Sequence, residues 1–224
     1  MQEISWKDNL RIAWFGCFLT GASISLVVPF MPIFVEQLGV KGDQVAFYSG
    51  LAISVSAVSA AFVSPIWGIL ADKYGRKPMM IRAGLAMTIT MGGLAFVPNI
   101  FWLLFLRFLN GVFTGFVPNA TALIASQVPK DKSGYALGTL STGVVAGTLT
   151  GPFVGGLIAE FFGIRNVFLL VGSFLFLAAI LTILFIKEDF QPVTKEKALP
   201  TKELFKSVKY PFLLINLFLT SFVI

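Results

Sequence analysis

The sequence predicts an all-α membrane protein with six transmembrane helices and the truncated start of a seventh. Three observations predict it. Of 224 residues, 56% are hydrophobic and 12% charged, about half the charge of a soluble domain. Six apolar runs reach the roughly 20 residues that a membrane helix needs, at 12–34, 45–71, 79–97, 101–124, 135–158 and 166–186. Basic residues gather in alternate loops between those runs, as topology signals do.

The first run is longer than a secretory h-region and lacks a small-residue cleavage site, so it reads as a retained span. Its Pro29 and Pro32 predict a kink near the middle of that helix. Span two carries Gly50, Ser54, Ala57, Ala61 and Ser64 at spacings of four and three, which predicts an interface helix. Segment 187–209 is polar, contains Pro192 and Pro200, mixes Lys with Glu, and reads as a linker. The last run, 211–224, holds 14 residues after Pro211 at its first turn. At 1.5 Å per residue it reaches roughly 21 Å, short of the ~30 Å hydrocarbon core, so the chain reads as a fragment. The predicted organisation is a six-helix unit at 1–190, a linker at 191–210 and a partial seventh span at 211–224.

Fourteen of the 17 basic residues fall on one side. They lie in the N-terminal tail (Lys7, Arg11), the loop after span two (Lys73, Arg76, Lys77, Arg82), the loop after span four (Lys130, Lys132) and the linker. The opposite loops hold only Lys41 and Arg165. The positive-inside rule then places the N-terminus in the cytoplasm. The pattern also explains the net charge of +6 without nucleic acid. With no histidine and a single cysteine, Cys17, the chain offers neither an imidazole metal site nor an internal disulfide. Six spans, a charged linker and a further span suit one half of a two-part transporter.

Three stretches carry chemistry. After span two comes Gly68-Ile69-Leu70-Ala71-Asp72-Lys73-Tyr74-Gly75-Arg76-Lys77-Pro78. Asp72 sits at the negative end of its helix dipole and wants a cation; Arg76 supplies one, and Gly75 permits the reversal. In span four, Arg107 is a cation inside an apolar run, spaced by four from Gly111 and Gly115 with Thr114 and Pro118 near. It either snorkels to the outer interface or points into protein or a wet cavity along a small-residue face. Span five carries Gly143, Gly147, Gly151 and Gly155 at strict spacing of four, with Pro152 and Gly156 added. That stripe predicts close helix packing, and Gly151-Pro152 predicts a broken backbone ladder in mid-membrane.

These stretches resemble motifs of the major facilitator superfamily. The loop string is similar to that family's G-x-L-a-D-r-x-G-r-k signature. Leu103-x-x-x-Arg107-x-x-Asn110-Gly111-x-x-x-Gly115 is similar to its fourth-span motif, and Gly147 through Gly156 to its fifth-span antiporter motif, g-x-x-x-G-P-x-x-G-G. Across 1–224 the chain looks like the 12-span drug:proton antiporters. More narrowly it resembles the MdtG/PmrA-type efflux proteins, through Trp14-x-Gly16-Cys17-Phe18-Leu19-Thr20-Gly21, Pro118-Asn119-Ala120 and the stretch from Gln127-Val128-Pro129 through Gly134 to Leu140-Ser141-Thr142-Gly143.

The resemblance implies an N-terminal six-helix half of a proton-coupled multidrug efflux transporter working by alternating access. It implies a cytoplasmic gate at Gly68, Leu70, Asp72, Gly75, Arg76 and Lys77, and proton coupling through Arg107 and Asp72. The antiporter motif is Gly147, Gly151, Pro152, Gly155 and Gly156. Phe18, Phe30, Asn110, Gly111 and Asn119 are the candidate lining of a substrate cavity. Expected partners are lipophilic drugs, protons, the bilayer of a bacterial cytoplasmic (plasma) membrane and a C-terminal six-helix half, with no cofactor beyond the proton gradient. Relatives often carry an acid at the inner end of span four, where Ser126 stands here. No Asp or Glu lies within a run, Glu36 and Glu160 being at span ends, so the proton carrier is Asp72, Glu36 or an acid of the other half. The alternative within the fold is a solute:proton symporter or other metabolite carrier. An intramembrane enzyme lacks a nucleophile–base pair.

Overall fold

The computed structural model describes residues 5–190; the predicted linker and partial seventh span lie outside the described residues. Six spans are long and apolar enough to cross a membrane, and they are built from eight α-helices among the described residues. The helices are α1 (Trp6–Val27), α2 (Met31–Gln37), α3 (Gln44–Tyr74), α4 (Arg76–Gly93), α5 (Ile100–Phe113), α6 (Phe116–Gln127), α7 (Ser133–Phe162) and α8 (Ile164–Phe185). The predicted all-α class and number of spans are present; two local expectations are not.

The first concerns span one. Its interruption falls at 28–30, between α1 and α2, after 22 residues of unbroken helix rather than near the centre. Pro32 lies in the first turn of α2, where an absent N–H costs no helical bond. The second concerns span four, which is two helices. α5 ends at Phe113 and α6 begins at Phe116, with Gly115 at φ +128° between them. Gly115 therefore sits at the junction and not on the helical face of Arg107. Span five meets its expectation at Pro152: α7 runs from Ser133 to Phe162 with one ladder bond missing there.

Glycine lets the three principal helix pairs approach. Along α1 and α7, a Cβ on Gly147 would lie 2.1 Å from the Phe18 carbonyl oxygen, and one on Gly151 2.8 Å from that of Ala22. Between α4 and α8, a Cβ on Gly172 would lie 2.9 Å from the Gly92 Cα. Between α3 and α5, one on Gly111 would lie 2.1 Å from the Ser56 carbonyl oxygen. Such contacts bring backbones together and gain dispersion where no hydrophobic force acts between helices in lipid. Two buried clusters fill the bundle. One gathers Leu26, Met31, Phe34, Met91, Leu103 and Phe168; the other gathers Cys17, Met80, Phe116, Leu123, Leu140 and Ile186.

The span-two stripe faces outward and forms no interface among the described residues. Gly50, Ser54, Ala57, Ala61 and Ser64 are all exposed, and α3 meets α5 through Ala52, Ser56 and Ser59 instead. Large apolar side chains also face outward on α3 and α7, with Phe62, Ile69, Leu149 and Phe153 each at least 70% exposed. Exposed apolar surface of this kind suits lipid or a further protein face, and the molecule is a multi-pass membrane protein.

Candidate functional site

At the α3–α4 junction Gly75 adopts φ +99°, so the chain reverses directly from one long helix into the next. The reversal sets Arg76 against Asp72, and the two form the expected ion pair across the turn. The rest of the motif turns inward on its own bundle. Glu188, just past α8, accepts the backbone N–H groups of Arg76 and Lys77 at 2.7 Å each, which caps the positive end of α4. Lys77 Nζ donates in return to the Ile183 and Ile186 carbonyls at 3.1 and 2.6 Å, which caps the negative end of α8. Asn9 and Gln127 bind the Lys187 backbone carbonyl beside them, at 2.6 and 3.0 Å. Glu188 thus supplies a carboxylate at this loop that Ser126 does not, from an element the motif does not include. Gly68 and Leu70 lie partly buried on the last turns of α3.

Arg107 is 5% exposed, which removes the snorkelling alternative. Its Nη1 lies 3.7 Å from the Met91 sulfur, its Nε is buried without a partner, and no carboxylate reaches it among the described residues. The buried face of α5 consists of Leu103, Arg107, Asn110 and Gly111, four residues of the fourth-span motif. Ser56 and Ser59 hydroxyls on α3 donate to the Arg107 and Phe108 carbonyls at 2.7 and 3.0 Å and clamp that face. A nearly sealed cation with so poor a set of partners among the described residues is costly in an apolar bundle.

In span five, Gly143, Gly147, Gly151 and Gly155 are all buried against α1, whereas Gly156 meets open space. Proline at 152 removes the N–H that would bond the Thr148 carbonyl four residues back. Ser25 Oγ on α1 donates to that carbonyl at 2.7 Å, so the helix continues.

Span four shows the same device at its break. The Thr114 carbonyl, left outside both helices, has no helical donor, and Arg82 Nη2 on α4 donates to it at 3.2 Å; Pro118 lies in the first turn of α6, where its missing N–H costs no bond. The Val112 carbonyl takes Trp67 Nε1 of α3 at 2.6 Å. The Arg82 guanidinium lies 3.5 Å over the Trp67 ring. Arg82 is therefore no loop residue: it stands inside α4, half-buried, within the apolar run that begins at Met79.

The five candidate cavity residues have separate surroundings. Phe18 stacks on Trp14 with centroids 5.8 Å apart, and Phe30 packs near Gly155. Asn110 accepts from Thr90 Oγ1 at 3.2 Å, Gly111 is closed off by α3, and Asn119 Nδ2 donates to the Gly115 carbonyl at 2.7 Å. Sequence reasoning missed Arg82, Trp67, Ser25 and Glu188. One signal was available, since a proline inside a helix names the carbonyl four residues back that needs a new donor. The donor itself comes from another helix.

The model of the Major Facilitator Superfamily matches residues 13–224. The chain is 88% identical over all 224 residues to the multi-drug resistance efflux pump PmrA of Streptococcus pneumoniae serotype 4 (strain ATCC BAA-334 / TIGR4), and spans 56% of that protein. It is 52% identical over 222 residues to the multidrug resistance protein MdtG of Rahnella sp. (strain Y9602), covering 99% of this chain and 54% of that one. The chain thus spans about half the length of these relatives. Among solved structures, the human organic anion transporter MFSD10 (TETRAN) superposes with a TM-score of 0.73 at 16% identity, over 89% of this chain and 52% of that one. The POT family transporter PepTSo gives 0.74 at 15% identity, over 85% and 40%. These two likenesses concern the fold alone. A six-span all-α bundle with the loop, span-four and span-five motifs in place, matched by the family model over nearly its whole length, belongs to the major facilitator superfamily.

Proposed function

We propose that the full-length protein is a proton-coupled multidrug efflux transporter that works by alternating access between two six-helix halves. The observation that carries this reading is Arg107, a cation sealed inside span four with only a methionine sulfur in reach of its guanidinium among the described residues. A buried guanidinium with no fixed counter-charge favours the ionised form of any carboxylate that approaches it, so it can drive a proton off that acid, which is the electrostatic link a proton-coupled cycle needs. The names of the relatives at 88% and 52% identity support drugs as the substrate class.

The N-terminus and the 72–77 loop face the cytoplasm, and the proton gradient is the energy source. The Asp72–Arg76 pair belongs to the gate on that side. The proton carrier is Asp72, Glu36 or an acid of the other half. The α1–α7 seam, tightened by Gly147, Gly151 and Gly155, is a rigid unit that rocks as one body.

The test uses the full-length protein in inverted membrane vesicles with an imposed proton gradient. Adding a lipophilic cationic dye or a fluoroquinolone should collapse the gradient, and Arg107→Ala should abolish the response while inserting normally. Normal efflux by that variant removes Arg107 from coupling. Proton movement with a metabolite, and none with any drug, replaces efflux with symport.

A further inference from the structure

Arg82 has no role in the reading above. Its contacts converge on one place, the break in span four. Two carbonyls near the end of α5 lack helical donors, those of Val112 and Thr114, because the chain leaves the helical course at Thr114 and Gly115. Both belong to partly buried residues of the bundle. Trp67 of α3 satisfies the first and Arg82 of α4 the second. The guanidinium lies 3.5 Å over the indole and donates along its own plane, which a guanidinium does and an ammonium does not. The carbonyl end of α5 is the negative end of its dipole, so a cation suits it. Arg82 Nε and Nη1 are buried without partners among the described residues. Among those residues the charge is held by the ring, the dipole and one carbonyl, and not by an ion pair. A Cβ on Gly115 would make only ordinary contacts, 3.6 Å from Arg82 Nη2 and 3.5 Å from Asn119 Nδ2, so it is the backbone at φ +128° that calls for glycine.

We infer that Arg82 is a positioning residue for transport, the pin that, stacked on Trp67 and bonded to the Thr114 carbonyl, fixes the angle between the outer and inner parts of span four. The inference rests on the transport reading for its consequence, though not for the pin itself. Arg107 stands on α5 above the break and Asn119 on α6 below it, so the pin sets how the coupling residue and the inner half of the span face each other. Loss of the pin impairs the conformational step and leaves drug binding largely intact.

The experiment uses the full-length transporter in lipid nanodiscs and has two arms. In the first, hydrogen exchange is followed on peptides covering 114–119 and 145–156. Arg82→Gln should speed exchange in the first peptide at least tenfold and leave the second within twofold. In the second, drug-dependent proton flux should show kcat lowered at least tenfold with KM for the drug within threefold, and Arg82→Lys, whose ammonium cannot stack and donate at once, should recover less than a third of kcat. Unchanged exchange at 114–119, or kcat within twofold of the unaltered protein, overturns the proposal. So does equal acceleration in both peptides, which marks general loosening. Should Arg82→Gln fail to fold, Trp67→Phe keeps a ring for the cation but drops the donor to Val112. It should speed exchange at 114–119 alone about threefold, and no acceleration there overturns the pin. If the unaltered protein moves no drug, the transport reading fails by itself, and the exchange arm still decides the pin.

Discussion

Spans four and five both pair a glycine with a proline, yet the first breaks and the second does not. In span four the pair is Gly115-x-x-Pro118, with the backbone at φ +128° and a new helix starting at Phe116. In span five it is Gly151-Pro152, inside 30 residues of continuous helix. Proline by itself therefore does not decide the outcome: Pro152 orphans the Thr148 carbonyl inside a helix that stays whole, whereas Pro118 lies in the first turn of α6, where its missing N–H costs no bond. The donor's position decides. Ser25 reaches Thr148 from α1, a helix already pressed along α7 by three buried glycines, so the straight path is the packed path. Arg82 and Trp67 reach Thr114 and Val112 from α4 and α3, at a point where glycine allows the chain to turn away from the helical course.

The comparison can be broken in four places, from the largest expected effect to the smallest. Gly147→Val puts side-chain atoms into the Phe18 carbonyl, a contact of 2.1 Å even for a Cβ. It should cost roughly 3 kcal/mol or more, at the upper end for overpacking, and abolish a monodisperse peak in size-exclusion chromatography. A normal peak with native melting would mean that the α1–α7 seam yields. Gly115→Ala forces a side chain into a backbone conformation that only glycine holds without strain, at a cost of roughly 1–3 kcal/mol read from thermal unfolding in detergent. An unchanged melting point would show that the break is not fixed at this residue.

Ser25→Ala removes the donor to Thr148 and should cost about 0.6–1 kcal/mol. In a Pro152→Ala background, residue 152 regains its N–H, so the same change should cost less, and a double-mutant cycle measures that coupling. Additive losses would separate the serine from the proline. Gly156→Ala should shift stability by less than about 0.5 kcal/mol, because open space surrounds the position. A loss as large as at Gly147 would show that a face outside the described residues covers Gly156.

Much of the molecule was legible in the linear chain. The six spans followed from run length and composition, and the Asp72–Arg76 pair followed from spacing across a glycine turn. The span-five stripe predicted packing correctly, because glycines four apart share one helical face whatever lies opposite. On span two an equally regular set of small residues faces outward, with no interface among the described residues. Periodicity identifies a face; it does not say which neighbour, if any, covers it. Arg107 was legible as a cation in an apolar run, and only the fold separated burial from snorkelling.

The sequence by itself determined the quantities that are local: where hydrocarbon-length apolar runs begin and end, which residues repeat along one face, and which carbonyls lose a donor to proline. Tertiary structure alone decided the rest. It placed the break at Gly115 instead of at Pro152, drew Arg82 from an expected loop into the bundle, and brought Glu188 to the N–H groups of Arg76 and Lys77. The reason is physical. In a low-dielectric bundle an orphaned backbone group must be bonded by protein, and the group that bonds it comes from a helix distant in sequence, at a position fixed only once the helices have packed.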